Sequence, residues 1–435
     1  MARESGSKIP TDAGQIVLFL AIALGIAMPL VEAALYPTYF VMMEREWAEF
    51  TRLIELPYVV FEVLFILWAG NNGFDLMQSL RRLPRDILVA AGVLLVAALG
   101  SSLIISSDKP YAMTHSLMWL VHLVFALAVV SVLATVRECK PTQFLRWHVV
   151  GLVVLSIYTA WWFLTIPPVE TLPFEEVRLR GAVPGWIDVR HFGSWTGAVG
   201  AAFAVRILFA PQNANLKWDC ACYFLAAGLT VWSGTRAAIL AITFVTLVFV
   251  LIFRSWPDWR RIGIAALLTL FACGVAYLLL PDDPVFHLFT ERELAGDTDL
   301  TRTRWVMWSR SLEIWLQSPL LGLGTGSIFW EYDPIITPTQ PHNVILQFLI
   351  SWGIVGATAG LWILVRAIHA VHTASRSMPV MFGVVAMLYA LLFQSLLEGM
   401  LHYPRFIVTI MVLGAMVIAA GKPMASARAA ADGVQ

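Results

Sequence analysis

The sequence predicts an all-α polytopic membrane protein with about twelve transmembrane helices. Of its 435 residues, 59% are hydrophobic and 13% are charged, whereas roughly a quarter of a soluble domain is charged. The mean hydropathy is +0.75, and apolar runs of about 20 residues, the length of a membrane span, recur along the chain. Because the formal net charge is zero, the composition indicates no nucleic-acid partner.

Twelve apolar runs are predicted to cross the membrane. The first follows Arg3 and Lys8 as a signal peptide would, but it lacks a small-residue cleavage site, so we interpret it as a retained helix. Runs seven and eight are separated only by Ser233–Arg236, which is compatible with two short helices or with one broken helix. The runs lie near residues 14–34, 56–72, 87–105, 116–136, 149–167, 191–209, 219–234, 237–253, 262–280, 343–365, 379–396 and 404–420.

The charge distribution predicts the orientation of these runs. With the N-terminus in the cytoplasm, the cytoplasmic segments carry 17 of the 29 basic residues and 8 of the 29 acidic residues. Cytoplasmic loops collect Lys and Arg, so both termini are predicted to be cytoplasmic. The predicted organisation has nine spans in residues 1–280, an outer loop in 281–342, three spans in 343–420 and a cytoplasmic tail in 421–435.

Four polar clusters fall on the predicted outer face. A transporter is expected to place ionisable residues near the membrane midplane, where few charges are found in this sequence. This distribution favours chemistry at one membrane surface over transport. The clusters lie at 188–193, 233–236, 281–342 and 398–405.

The outer loop contains a predicted amphipathic helix. Trp305, Trp308, Leu312 and Trp315 recur at helical spacing, with Arg304, Ser311 and Gln317 off that stripe. The pattern is typical of a helix that lies in the membrane interface and turns its tryptophans toward lipid headgroups. A helix packed directly on the bundle would give the same stripe.

Arg190, Arg236 and Arg304 are predicted to bind an anion. They lie at the outer ends of apolar runs, where an unpaired guanidinium is costly. The planar fork of a guanidinium fits phosphate oxygens, so a diphosphate is a suitable ligand. The alternative for each arginine is an ion pair with a nearby carboxylate such as Asp188 or Glu398.

His342 is the candidate general base. It stands in the sequence Pro-His-Asn at the start of run ten, and a neutral imidazole can accept a proton from an attacking hydroxyl group near pH 7. The neighbouring Asn343 can cap the helix or orient a sugar. A histidine at a helix start is also common as a purely structural residue.

Two further patterns were weighed as ligand sites. Gly322–Gly326 lacks the Lys-Ser/Thr that completes a nucleotide-binding loop, so we interpret it as a flexible bend after Pro319. The acidic pairs in Glu44–Glu46 and Asp297–Asp299 have a spacing that can hold Mg²⁺ or Mn²⁺, although the acidic outer face explains them by chance. The cysteines are interpreted as small core residues because they lack metal-ligand spacing: Cys139, Cys220, Cys222 and Cys273.

Taken together, these segments resemble the O-antigen ligase and O-antigen polymerase superfamily of bacterial membrane glycosyltransferases. The resemblance covers roughly residues 230–360, and the order of the pieces is more specific than any one of them. The matching pieces are Ser-Gly-Thr-Arg-Ala-Ala around Arg236, Arg304 with Trp308, the run Ser318–Gly326, and His342-Asn343 leading into Gln347 and Trp352–Gly356.

The resemblance implies a metal-independent, inverting enzyme with a GT-C-like fold and no cofactor. Such an enzyme takes a glycan from undecaprenyl diphosphate and joins it to a lipid A core or glycan acceptor, at the periplasmic face of the bacterial inner membrane. Arg236, Arg304 and Arg190 would bind the diphosphate, and His342 would be the catalytic base. The implied supporting residues are Asn343, Glu398 and His402.

Several functions remain open at this point. Transfer to lipid A core is the leading hypothesis, and polymerisation of lipid-linked repeat units or protein O-glycosylation would use the same donor. A flippase for lipid-linked glycan would need polar residues along a path across the bilayer. A metal-dependent transferase using Asp297 and Asp299 would lose activity in a chelator.

Overall fold

The computed structural model describes residues 13–36, 55–135, 140–165, 183–209, 215–253, 256–281, 286–289, 300–326 and 340–432. Within these ranges the chain forms helices, turns and short connections, and no strand. The predicted all-α class is therefore confirmed.

Fourteen helices are numbered here in chain order over the described ranges. Two of them include a π-helical stretch, Ala23–Ala27 inside α1 and Ser101–Ile105 at the end of α4. The helices are α1 (Ala13–Ile22 continued by Met28–Leu35), α2 (Leu56–Asn71), α3 (Leu76–Arg81), α4 (Arg85–Gly100), α5 (Lys109–Leu133), α6 (Pro141–Thr165), α7 (Val189–Phe209), α8 (Leu216–Trp232), α9 (Arg236–Ile252), α10 (Trp259–Leu278), α11 (Leu300–Trp315), α12 (Val344–Ser375), α13 (Phe382–Gln394) and α14 (Pro404–Asp432).

Each of the twelve predicted runs coincides with one of these helices. Among the described residues, eight helices are long and apolar enough to cross a membrane: α1, α4, α5, α6, α7, α10, α12 and α14. The helices α2, α9 and α13 are shorter and apolar. The protein is thus a multi-pass membrane protein, while the count of twelve spans and their orientation stay predictions.

Runs seven and eight are two helices, because the tight turn Ser233–Thr235 separates α8 from α9. Both helices pack against α7, which is buried along almost its whole length. Small residues on α7 permit this close packing. A Cβ atom at Gly197, for example, would lie 2.5 Å from the Cβ of Ala238 on α9.

Helix α12 is broken at Gly353, whose φ of 60° and ψ of −170° are not helical. The Gly-rich segment after α11 fills the break. The backbone N–H of Leu323 donates to Ile350 at 2.7 Å, and the N–H of Ile354 donates to Pro319 at 2.8 Å. The segment predicted as a flexible bend does turn, but its backbone is hydrogen-bonded to the two halves of α12, so it is a packed part of the fold.

A buried ion pair joins the start of α2 to the start of α14. Arg405, in the first turn of α14, donates from its backbone N–H to the carboxylate of Glu55 at 2.7 Å, and its Nε atom binds the same carboxylate. Its NH2 group donates to the carbonyl of Gly185 at 2.8 Å, and its guanidinium lies 4.2 Å from the ring centroid of Trp186. Arg405 and Glu55 are 4% and 2% exposed, so this buried pair holds the starts of α14 and α2 together.

Candidate active site

Four helices begin at one end of the bundle. They are α7, α9, α12 and α14, which start at Val189, Arg236, Val344 and Pro404. The starts of α7 and α9 are hydrogen-bonded to each other, and rings next to the starts of α7 and α14 are in contact. Helix N-termini carry partial positive charge and free N–H groups, so this end of the bundle attracts anions.

The carboxylate of Glu398 lies between Arg304 and His342. Its Oε1 atom accepts a hydrogen bond from the NH2 of Arg304 at 2.7 Å, and its Oε2 atom lies 3.7 Å from Nδ1 of His342. The NH1 group of Arg304 also binds the carbonyl of Leu397. The ion pair considered as the alternative for Arg304 is therefore present, although its side chain remains 37% exposed and within reach of a ligand.

His342 is held in an unusual backbone conformation. Its φ of 50° is in the left-handed region, which a non-glycine residue occupies only when its surroundings enforce it. Desolvation lowers the pKa of the imidazole below its ordinary value, and the charges of Glu398 and Asp188 oppose that shift. The imidazole is therefore neutral near pH 7 and able to accept a proton.

Gln340 is a site residue that the sequence analysis missed. It is fully buried, and its amide nitrogen donates to the carbonyl of Glu398 at 3.2 Å and to the hydroxyl of Tyr403 at 3.3 Å. Its amide oxygen lies where a Cβ at Gly399 would be, so only glycine fits that position. Gln340 thus ties the residue pair Pro341-His342 that follows it to the turn that carries Glu398.

Replacing Gln340 with alanine is expected to lower kcat about tenfold with little change in KM. The side chain makes two buried hydrogen bonds, and an unpaired buried group costs about 1–3 kcal/mol. Kinetics of the Gln340→Ala variant measure the effect, with Gln317→Ala as the control because Gln317 is exposed on the outer surface. Equal losses in kcat and in the amount of folded protein would show that Gln340 only supports the fold.

Arg190 and Arg236 form a neighbouring group at the same end of the bundle. The hydroxyl of Thr235 donates to the carbonyl of Arg190 at 3.4 Å, which joins the start of α9 to the start of α7. The backbone N–H of Arg190 donates to Asp188 at 2.8 Å, and the guanidinium of Arg236 lies 5.9 Å from the ring centroid of Phe289. Both arginines are half-buried.

An aromatic contact connects the group formed by Arg304, Glu398 and His342 with the group that contains Arg190 and Arg236. The ring of His191 lies 4.3 Å from that of Tyr403, whose hydroxyl accepts the hydrogen bond of Gln340. The charge of Asp188 also acts on the pKa of His342. The structure therefore brings Arg304, Glu398 and His342 together, and it links them to the starts of α7 and α9, which carry Arg190 and Arg236, through the contact of His191 with Tyr403. The roles of these residues in ligand binding remain predictions.

Gly193 allows the start of α7 to lie close to the turn between α8 and α9. A Cβ atom there would lie 2.0 Å from the hydroxyl oxygens of both Ser233 and Thr235, so an added methyl group must displace the turn before Arg236. We expect the Gly193→Ala variant to raise the KM for an anionic donor about tenfold, because the guanidinium of Arg236 moves with the turn. Donor titrations measure this shift. Gly263→Ala, at a position with open space around it, is the control and should match the wild type.

Asn343 and His402 occupy defined positions near the base. The side-chain oxygen of Asn343 accepts hydrogen bonds from the N–H groups of Ile345 and Leu346, so Asn343 caps α12 as one of its predicted roles requires. The ring of His402 is stacked on that of His115 at 6.2 Å. Desolvation, with a smaller contribution from His342, lowers the pKa of His402 to about 4, so its ring is neutral at pH 7.

Helix α11 packs against α12, and only part of the predicted tryptophan stripe takes part in the contact. Its buried face contains Met307, Ser311 and Ile314, whereas Trp305 is 70% exposed and Leu312 is 43% exposed. Ser311, expected on the polar face, is buried. Its hydroxyl donates a hydrogen bond to the carbonyl of Met307 at 2.7 Å, so it is not left without a partner there. Trp308 and Trp315 are partly buried against this face, so the stripe is divided between the bundle and the surface. Whether the tryptophans lie toward lipid headgroups stays a prediction.

One buried ionisable pair inside the spans was not expected. Nδ1 of His122 on α5 lies 2.7 Å from a carboxylate oxygen of Glu62 on α2, and both side chains are at most 1% exposed. Of the three described cysteines, which are free thiols, Cys222 is buried as predicted for a core residue, whereas Cys220 and Cys273 are only partly buried. The residues of the two acidic pairs and the fourth cysteine lie outside the described residues: Glu44, Glu46, Asp297, Asp299 and Cys139.

The chemistry of this end of the bundle matches the result of a comparison with known families. Arginines and helix N-termini suit a phosphorylated ligand, and a neutral imidazole suits proton abstraction. Residues 221–361 match the family model described as O-Antigen ligase. No curated protein matches the chain. The matched segment, about a third of the chain, includes Arg236, Arg304 and His342, so this part of the chain is similar to the O-antigen ligase family.

Proposed function

We propose that the protein is a ligase that moves a glycan from undecaprenyl diphosphate to a sugar of lipid A core, at the periplasmic face of the inner membrane. The observation that carries this proposal is the carboxylate of Glu398 between Arg304 and His342. It holds an anion-binding group and a proton acceptor at one place, as a displacement with a diphosphate leaving group requires.

His342 acts as the general base in this proposal. Its Nδ1 atom faces Glu398, so Nε2 accepts the proton of the acceptor hydroxyl while that oxygen attacks the anomeric carbon of the donor sugar. The bond from that carbon to the phosphate oxygen breaks, and its electron pair leaves with the diphosphate. Attack on the side opposite the leaving group inverts the anomeric configuration. Glu398 stabilises the imidazolium that forms.

The arginines offset the charge that develops on the leaving diphosphate. Arg304 is half-exposed beside the base, and Arg190 and Arg236 lie at the starts of α7 and α9. Preorganised positive groups of this kind stabilise the transition state more than the ground state, because the leaving oxygen gains charge during the reaction. The donor already contains the activated bond, so the proposed reaction needs neither a nucleotide nor a metal ion.

Transfer by the purified protein tests the proposal. The donor is a glycan on undecaprenyl diphosphate, the acceptor is lipid A core, and EDTA is present throughout. We expect a glycosylated lipid A core whose new linkage has the inverted anomeric configuration. Elongation of the donor glycan, with lipid A core unused, would identify a polymerase instead. A requirement for Mg²⁺ or Mn²⁺ would contradict the metal-free mechanism, and the absence of any donor turnover would contradict the proposal as a whole.

A further inference from the structure

A basic surface lies at the end of the bundle opposite the candidate active site. Helix α7 starts beside the site, and its 21 residues extend roughly 30 Å, the thickness of a bilayer core. The far end of α7 contacts the starts of α8 and α10. Nε of Arg206, in the last turn of α7, donates to the carboxylate of Asp219 on α8 at 3.0 Å, and Arg261 on α10 donates to the carbonyl of Ile207 at 3.4 Å.

This basic surface consists of four cationic side chains: Arg146 on α6, Lys217 on α8, and Arg260 and Arg261 on α10. The guanidinium of Arg146 lies 5.9 Å from the ring centroid of Trp218, and its charge also acts on Asp219. Arg206 neutralises Asp219, and Asp258 caps α10 by accepting a hydrogen bond from a backbone N–H. The described residues at these helix ends therefore keep a net positive charge, to which the N-termini of α6, α8 and α10 add.

Exposed aromatic and aliphatic side chains border the basic surface. Trp256 and Trp259, at the start of α10, are each 83% exposed, and Trp218 is 38% exposed. Further along α10, Leu267 and Phe271 are four residues apart and largely exposed, so they lie on one face of the helix. Cations beside tryptophans and an apolar helix face are typical of a surface that meets lipid headgroups and acyl chains.

We infer that the basic surface binds the headgroup of an anionic phospholipid in the leaflet opposite the candidate active site. The guanidinium groups fit phosphodiester oxygens, and the exposed apolar face of α10 accommodates the acyl chains. A soluble anion would gain nothing from that apolar face. A zwitterionic lipid would bring a further cation against Arg146 and Lys217, so the charge of the surface favours a headgroup with net negative charge.

Lipid titration of the purified protein in a neutral detergent tests the inference. The probes are phosphatidylglycerol, whose headgroup carries one negative charge, and phosphatidylcholine, which has the same phosphodiester but no net charge. Native mass spectrometry measures the lipid bound at each concentration and gives an apparent Kd. The test variant combines Arg146→Gln with Arg260→Gln, because both side chains are exposed and the packing contacts of Arg206 and Arg261 stay intact.

Arg81→Gln combined with Arg82→Gln is the matched control. These two arginines are also exposed, but they lie at the end of α3, which packs against α5. We expect the wild type to bind phosphatidylglycerol more tightly than phosphatidylcholine. The test variant should bind phosphatidylglycerol about 30-fold more weakly, because each basic residue near an anionic lipid contributes about a fivefold factor. The control should keep the wild-type Kd, and Arg146→Lys combined with Arg260→Lys, which retains the charges, should restore most of the binding.

Three results would overturn the inference. Equal losses in the test and control variants would mean that surface charge attracts the lipid without a site. Equal binding of phosphatidylcholine and phosphatidylglycerol by the wild type would exclude recognition of the negative charge, whether or not the variants fold. Displacement of the lipid by a similar concentration of sn-glycerol 3-phosphate, which has no acyl chains, would identify a soluble phosphate ligand instead. Because no glycan transfer is measured, these results do not depend on the proposed function.

Discussion

The His342→Gln variant is expected to lose a factor of about 10² to 10⁴ in kcat, the usual contribution of a general base. Glutamine approximates the size of the imidazole but cannot accept the proton of the acceptor hydroxyl. Because Arg304 and the helix N-termini remain, the KM for the donor should change little. Initial rates at saturating donor measure the effect. His369→Gln is the matched control, since His369 is exposed near the opposite end of α12.

The pH dependence distinguishes a base from a residue that only supports the fold. Desolvation lowers the pKa of His342, so wild-type kcat should stay high below pH 6.5 and fall only as the imidazole becomes protonated. The charge of Glu398 raises this pKa and the charge of Arg304 lowers it. Glu398→Gln should therefore move the acidic limb to lower pH, and Arg304→Gln should move it to higher pH. Shifts in the same direction would contradict the assignment of His342.

The Arg405→Leu variant is expected to lose about 3–5 kcal/mol of stability, because it leaves the carboxylate of Glu55 buried without its partner. Arg405 also supplies the hydrogen bond to Gly185 and the contact with Trp186, so the loss is not limited to one ion pair. Thermal unfolding in detergent, followed by a fluorescence or aggregation readout, measures the change as a large fall in the midpoint temperature.

Two further variants test whether the loss of stability in Arg405→Leu comes from the buried charge left behind. Arg310→Leu removes a pair with Glu313 in which both side chains are about half-exposed, and it should cost less than about 1 kcal/mol. Combining Arg405→Leu with Glu55→Leu removes the two closest of three buried charges, the third being Glu32 at 3.9 Å from Arg405. The double variant should therefore be more stable than Arg405→Leu alone, although Glu32 stays buried. A double variant as unstable as the sum of its parts would mean that the two side chains act independently.

Much of the helical framework was predictable because hydropathy responds to the same physics that forms the spans. A run such as residues 191–209 must be helical in a membrane, where every backbone polar group needs an internal partner. The placement of Arg236 and His342 at one end also followed from the sequence, because both stand at polar interruptions between apolar runs. Because consecutive spans run in opposite directions, every second interruption lies on the same side of the membrane.

Other features of the structure could not be predicted, because they correspond to no local pattern in the sequence. Arg405 and Glu55 are separated by 350 positions, and no periodicity connects them. Gln340 is an amide between a threonine-rich stretch and a proline, and its role appears only once Gly399 packs against it. The packed side of α11 could not be predicted, because tryptophans can face lipid as well as protein and an apolar stripe does not distinguish the two. The break of α12 at Gly353 was not predictable, because the apolar residues on both sides of it read as one continuous span.

The sharing of Glu398 between Arg304 and His342 has a thermodynamic consequence. In the proposed reaction, a diphosphate at Arg304 would compete with Glu398 for the guanidinium, and both the released carboxylate and the diphosphate would then favour a protonated imidazole. Linkage is reciprocal, so proton uptake on donor binding requires donor affinity to increase as the pH falls. The donor thereby strengthens the base that will act upon the acceptor, and the affinity of the enzyme for its first substrate and the reactivity toward its second are set by one carboxylate.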